Sequence, residues 1–175
     1  MNRYVKFKNI VLIGMSGAGK TTVGKYIASK LNMEFVNTDD IIVFNFGDTI
    51  EHIFSEYGEE YFRDLEKQVI EGLKEKENIV ISTGGGVVID EVNIDILKKN
   101  GIFVYLEASI DTLVRNVKSS KENRPLLDKD NLYSSIKEIY NKRKGLYISS
   151  ADYIVQVDNK SVELIGDEVI YILNN

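Results

Sequence analysis

The sequence predicts an α/β domain in which a five-stranded parallel sheet lies between two layers of helices. Three observations carry this reading. Short apolar runs rich in β-branched residues recur along the chain, longer segments of helical periodicity separate them, and the runs scarcely alternate with polar residues. Near-continuous apolar strands are what a parallel sheet covered on both faces requires. At 175 residues with no Cys and one Pro, the length suits one core, and residues 1–175 are expected to form a single domain.

The elements follow in order. Residues 10–13 (Ile-Val-Leu-Ile) read as the first strand, 20–31 as a helix and 34–37 as a short second strand. Residues 38–78 do not fit a simple crossover: about forty residues hold several helix-like pieces, the last over 59–77, enough for a small helical subdomain. A third strand at 79–81, a helix at 90–100, a fourth strand at 102–106 and a helix at 111–118 restore the alternation. The polar stretch 119–130, broken by Pro125, reads as a mobile excursion. A helix at 131–149, a strand at 153–157 and a helix at 161–173 complete the series, with right-handed crossovers throughout.

Composition removes several classes of function. Lys and Arg number 22 against 27 acids, a net charge of −5 and the wrong sign for coating nucleic acid. Without Cys there are no disulfide frameworks, thiolate metal sites or thiol nucleophiles, and the lone His52 leaves no His-rich metal site. The apolar run after the basic residues 1–8 is too short for a signal peptide, and no stretch reaches the 18 apolar residues of a membrane span. A cytoplasmic protein without nucleic-acid or membrane partners is expected.

The strongest motif is Gly14-Met15-Ser16-Gly17-Ala18-Gly19-Lys20-Thr21-Thr22, directly between the first strand and the first helix. It satisfies G-x-x-x-x-G-K-[ST]: glycines let the backbone curl its N–H groups inward, and the helix beginning at Lys20 adds its positive end, so phosphate oxygens fill the nest. Lys20 would reach the outer phosphates and the Thr21 hydroxyl would ligate Mg²⁺. The loop alone leaves GTP switches, ATPase motors and small-molecule kinases open. Length argues against motors, and no Asn-Lys-x-Asp tetrapeptide reads guanine.

Further candidates fall where an open sheet presents its ligands, at the carboxyl ends of strands. Asp39 follows the second strand and could orient a substrate hydroxyl or act as base, although an Asp there also suits a helix cap, with Asp40 as a second candidate for that role. Arg63, four residues after Glu59, is either a ligand-binding cation or half of a surface pair. Gly84, Gly85 and Gly86 after the third strand make a tight turn or bring bare N–H groups against a ligand. Arg124 in the excursion could close over the phosphates as a lid arginine, and Arg143 ends a helix where a cation also complements the dipole.

Taken together, the phosphate loop, Thr38-Asp39, Phe62-Arg63-x-x-Glu66, Gly84-Gly85-Gly86, Val104-Tyr105-Leu106, Arg124-Pro125-Leu126-Leu127 and Arg143 with Tyr147 and Ala151 resemble bacterial shikimate kinase over essentially the whole chain. The resemblance implies a phosphate-loop NTPase fold of the nucleoside-monophosphate-kinase type, with a substrate-binding region at about 38–78 and a lid at about 118–130. It implies ATP-dependent phosphorylation of the shikimate 3-hydroxyl, in the chorismate route to aromatic amino acids, by a magnesium-using monomer. Residue by residue, Asp39 matches the carboxylate holding that hydroxyl; Arg63 and Arg143 match the pair gripping the shikimate carboxylate. Gly85 and Gly86, with Gly84, match contacts to the ring, Lys20 and Arg124 the cations at the transferred group, and Thr21 the magnesium ligand. Gly14 and Ser16 to Thr22 form the nucleotide seat.

Two positions depart from the family pattern. Asn37 stands where the family usually has an acid linked to magnesium through water, which implies a weaker metal site or a larger share for Ser82. Asn116 stands where an adenine-flanking Arg is expected, leaving adjacent Arg115 as its substitute. A gluconate-type sugar-acid kinase is the alternative within kinases, with Arg63, the triple glycine and Arg143 against it. A nucleotide-binding regulator without transfer chemistry is the alternative from another class.

Overall fold

A computed structural model describes residues 8–120, 124–128 and 130–175. The basic residues 1–7 and part of the expected lid, 121–123 and 129, lie outside the described residues. Along the chain run β1 (Asn9–Ile13), α1 (Lys20–Leu31), β2 (Glu34–Asn37), α2 (Thr38–Phe46), α3 (Ile50–Leu73) and β3 (Ile79–Ser82). A 3₁₀ turn (Val87–Ile89), α4 (Glu91–Lys98), β4 (Gly101–Glu107), α5 (Ile110–Ser119), α6 (Leu132–Ser150), β5 (Tyr153–Gln156) and α7 (Val162–Leu173) follow.

The five strands are all parallel, in the order β2-β3-β1-β4-β5. β1 is central: Ile10 lies opposite Val80 on β3 and Ile102 on β4. Burial follows position in the sheet, since every residue of β1 and β3 is buried whereas the edge strands β2 and β5 each bury one residue fully. The uninterrupted apolar runs are thus the strands with helices on both faces. α1 packs on α7, α3 on α4 and α5 on α6. Among the described residues no helix is long and apolar enough to cross a membrane.

Residues 38–78 hold α2 and α3 around a small core of their own, Ile42, Ile53, Phe62 and Val69, with the Phe54 and Phe62 ring centroids 4.7 Å apart. The helix expected over 59–77 begins nine residues earlier, where Thr49 accepts a hydrogen bond from His52 N, and breaks at Gly58 (φ 84°, ψ 175°). It ends at Leu73 because that is its last buried apolar residue; the charged run 74–77 has nothing to bury.

The order of strands sets the place of the site. Chain connections leave β1 towards β2 on one side and enter β4 on the other, so a crevice opens beyond the carboxyl end of β1, where the phosphate loop lies.

Candidate active site

The phosphate loop turns through three glycines with φ between 87° and 145°, at Gly14, Gly17 and Gly19, a region that side chains rarely enter. At Gly14 the reason is also steric: a Cβ would lie 2.7 Å from Leu106 O at the end of β4. Lys20 is buried and its ammonium donates to Gly14 O (2.8 Å) and Met15 O (2.9 Å), folding the cation back over the loop. Ser16, Gly17, Gly19 and Lys20 to Thr22 line a cleft of about 730 Å³, within the range of small-molecule sites; Gly14 and Ala18 do not line it.

Beside the loop, Asn37 ends β2 and caps α2: its side-chain oxygen accepts from Asp39 N (3.0 Å) and Asp40 N (3.4 Å). The cap is therefore neither Asp39 nor Asp40, and Asp39 is left free to face the cleft from the first turn of α2. With its oxygen so committed, Asn37 turns its amide to Thr21, Nδ2 donating to Oγ1 at 3.3 Å, and Thr21 Oγ1 lies 3.4 Å from Ser82 Oγ. Asn37 thus braces the threonine rather than offering a carbonyl oxygen to a metal-bound water. The hydroxyls of Thr21 and Ser82 suit a hard cation, yet no group of three His, Cys, Asp or Glu among the described residues could hold one. An ion here must draw most ligands from phosphates and water, as Mg²⁺ does.

The three glycines after β3 explain themselves by crowding. None of Gly84, Gly85 and Gly86 has positive φ. Instead a Cβ on Gly84 would stand 2.8 Å from both Asp39 Oδ1 and Glu66 Oε1; one on Gly85, 3.2 Å from Ser16 Oγ; one on Gly86, 2.3 to 2.4 Å from the Arg63 guanidinium. The glycines leave room for the functional groups themselves, the reading of close approach rather than of a special turn.

Two carboxylates and two guanidiniums meet there. Burial pushes the Asp39 carboxyl up from its ordinary value against the opposing pull of Lys20, Arg124 and Arg63. Burial also raises Glu66, whose side chain is 1% exposed and accepts from Arg63 Nη1 at 2.9 Å. Asp39 Oδ1, Glu66 Oε1 and Arg63 Nε are buried without a hydrogen-bond partner among the described residues. Arg143 comes from α6, its Nη1 donating to Gly85 O at 3.2 Å. The buried Tyr147 hydroxyl donates to the same carbonyl, and its pKa is pushed up to about 12 by burial, so it stays a donor. Two donors on one carbonyl pin the glycine turn.

Arg124, Pro125 and Leu126 also line the cleft, and the chain there is tied back to α6 by Asp128 N on Ser135 Oγ (3.2 Å). Arg115 does not line it: its Nη2 donates to Thr112 Oγ1 (3.3 Å), on the side facing Asp158. Asn116 does, donating to Gly17 O at 2.8 Å and so tying α5 to the phosphate loop. Adjacent residues on a helix point about 100° apart, which is why only one of them reaches the loop. The structural parts taken by Glu66 and Tyr147 were not drawn from the sequence, although both lie in the motifs quoted above; an acid three residues after Arg63 was the available signal.

The shikimate kinase family model matches residues 16–174, nearly the entire chain. The chain belongs to the shikimate kinase family. The shikimate kinase of Caldicellulosiruptor saccharolyticus is 43% identical over 165 residues, 94% of this chain and 95% of that protein. Among solved structures, the shikimate kinase from Acinetobacter baumannii in complex with shikimate superposes with a TM-score of 0.91 at 33% identity, covering 96% of this chain and 93% of that one. The shikimate kinase from Bacteroides thetaiotaomicron gives 0.87 at 35% identity, over 97% and 99%. A deoxyadenosine kinase from M. mycoides, 18% identical with a TM-score of 0.59, shares the fold alone. As a member of the shikimate kinase family the chain is an enzyme, an ATP-using kinase that phosphorylates shikimate.

Proposed function

We propose that the cleft beside β1 carries out in-line transfer of the γ-phosphoryl group of ATP to the shikimate 3-hydroxyl, with the following division of labour. The loop from Gly14 to Thr22 seats the triphosphate. Lys20 swings from its two carbonyls to the outer phosphates and, with Arg124, neutralises charge spread over the transferred group. Asp39 receives the 3-hydroxyl on its unpartnered Oδ1 and aligns it for attack. Arg63 and Arg143 hold the substrate carboxylate, and the turn at Gly84, Gly85 and Gly86 lies against its ring.

Thr21 would hold magnesium, with Ser82 beside it and Asn37 bracing the hydroxyl. When bound, magnesium lowers the repulsion between an alcohol and an anionic phosphoryl group. Arg115 has no part in the nucleotide site; Asn116 takes the position beside the loop. The chain is taken as one domain and a cytoplasmic monomer, with the substrate-binding region at 38–78 and a lid at about 118–130, of which Arg124 to Leu127 line the cleft.

The observation that carries this reading is convergence. Lys20, Asp39, Arg63, Gly84 to Gly86, Arg124 and Arg143 come from six separated segments and line one cleft. Purified protein with ATP, magnesium and shikimate should yield shikimate 3-phosphate and ADP, and chelating the metal should stop it. Arg63→Ala should raise the shikimate KM by roughly one to two orders of magnitude, the cost of a charge-assisted hydrogen bond, while the ATP KM holds. Equal losses for both substrates would refute the assignment of Arg63 to shikimate.

A further inference from the structure

The Arg63 guanidinium is held by two acids of unlike standing. Its Nη1 donates to Glu66, whose side chain is 1% exposed, and its Nη2 donates to Glu59 at 3.0 Å, whose side chain is 46% exposed. Nε is buried and carries no hydrogen bond among the described residues. Nε and Nη2 form one edge of the planar fork, the edge a carboxylate takes with two parallel hydrogen bonds. One half of that edge has no partner among the described residues, and the other is filled by an acid that can withdraw into water.

The geometry points to Glu59 as a displaceable stand-in for the substrate carboxylate, a specificity-determining residue of the shikimate site. This rests on the assignment of Arg63 to that carboxylate. Three features support it. Glu66 cannot serve, because its side chain is buried and cannot withdraw into water as Glu59 can, so it anchors Nη1 whether or not substrate is bound. Glu59 follows the break at Gly58 directly and begins the second half of α3, and no described residue lies within 4 Å of where a Gly58 side chain would project. Charge at Arg63 itself also favours exchange: its single cation already meets two acids, Glu59 and Glu66, so a further anion is best admitted there as one acid leaves. A neutral ring brings no carboxylate to replace Glu59, and the filled edge therefore selects for an acid.

An exposed ion pair is weak, so its displacement costs the substrate little but measurable affinity. Calorimetric titration of shikimate and of shikimate methyl ester into native, Glu59→Gln, Glu59→Ala and Arg63→Ala proteins tests the inference. Both Glu59 variants should bind shikimate roughly two- to fivefold more tightly, with ester binding unchanged. Unchanged or weaker shikimate binding in both, or equal tightening for the ester, would overturn it. If Arg63→Ala loses shikimate affinity while the Glu59 variants fail to gain it, the stand-in alone falls. If Arg63→Ala binds shikimate as the native protein does, the assignment of Arg63 falls and takes the stand-in with it.

Discussion

Gly86→Ala separates the role of Arg63 from the stability of the fold. The backbone at Gly86 has φ −103° and ψ 1°, which alanine adopts, so the substitution brings no conformational strain. It brings a methyl group 2.3 Å from Nη2 and 2.4 Å from Cζ and Nη1 of Arg63, where ordinary contact begins at 3.4 Å. The guanidinium must therefore retreat by about 1.1 Å. As the end of a long side chain it can, so melting should lower stability by only about 1 kcal/mol, the low end for an overpacked site. A displacement of that size breaks the bidentate geometry a carboxylate needs, a loss of about 1.5–3 kcal/mol, or roughly 10- to 150-fold in shikimate KM. Initial rates from coupled ADP release, with each substrate varied in turn, measure it: the shikimate KM should climb with the ATP KM within about twofold. A shikimate KM near the native value in a folded protein would refute the placement of the substrate acid against Arg63 and Gly86.

Tyr147→Phe keeps the ring stacked on Tyr105, at 5.1 Å between centroids, and removes only the hydroxyl from the Gly85 carbonyl. One lost hydrogen bond predicts an increase of about fivefold in shikimate KM with an unchanged ATP KM; no change would mean that Arg143 alone holds the turn. Asp39→Asn should cut kcat by about two orders of magnitude or more, and near-native turnover would remove Asp39 as the group that orients or deprotonates the hydroxyl. The same substitution should raise the melting temperature at pH 7. Burial lifts the folded-state pKa of Asp39, so its contribution to stability is complete below the unfolded pKa and is lost as pH rises through the folded one. The asparagine carries no such cost, and its gain should shrink towards pH 4; a lower melting temperature at pH 7 would contradict the burial argument. In the native enzyme the acid limb of kcat/KM should accordingly lie at a higher pH than an unperturbed aspartate would give.

Much of this was legible from the chain alone because it depends on local order. An apolar run not broken by polar residues marks a strand covered on both faces, and β1, β3 and β4 were found within one residue of their ends. The phosphate loop is equally local, since its glycines, lysine and threonine act through backbone curvature within nine residues. The early start of α3 was harder to read: Gly58 interrupts the periodicity, and only the contact of Ile53 with Ile42, Phe62 and Val69 makes residues 50–57 worth ordering.

The site behaves differently. Sequence determined the kinds of group present and the strand ends from which they come, because chemistry and periodicity reside in the residues themselves. It left open whether Asp39 was a cap, whether Arg63 was a surface cation and whether three glycines served a turn. Each answer depended on a neighbour far along the chain: Asn37 takes the cap because its oxygen reaches two amides, Gly86 is bare because Arg63 lies on it, and Tyr147 crosses 62 residues to hold Gly85. Arg115 and Asn116 were parted only by the direction of α5 against the phosphate loop. Such pairings are set when the sheet and its helices pack, since tertiary structure alone fixes which side chains compete for the same few ångströms.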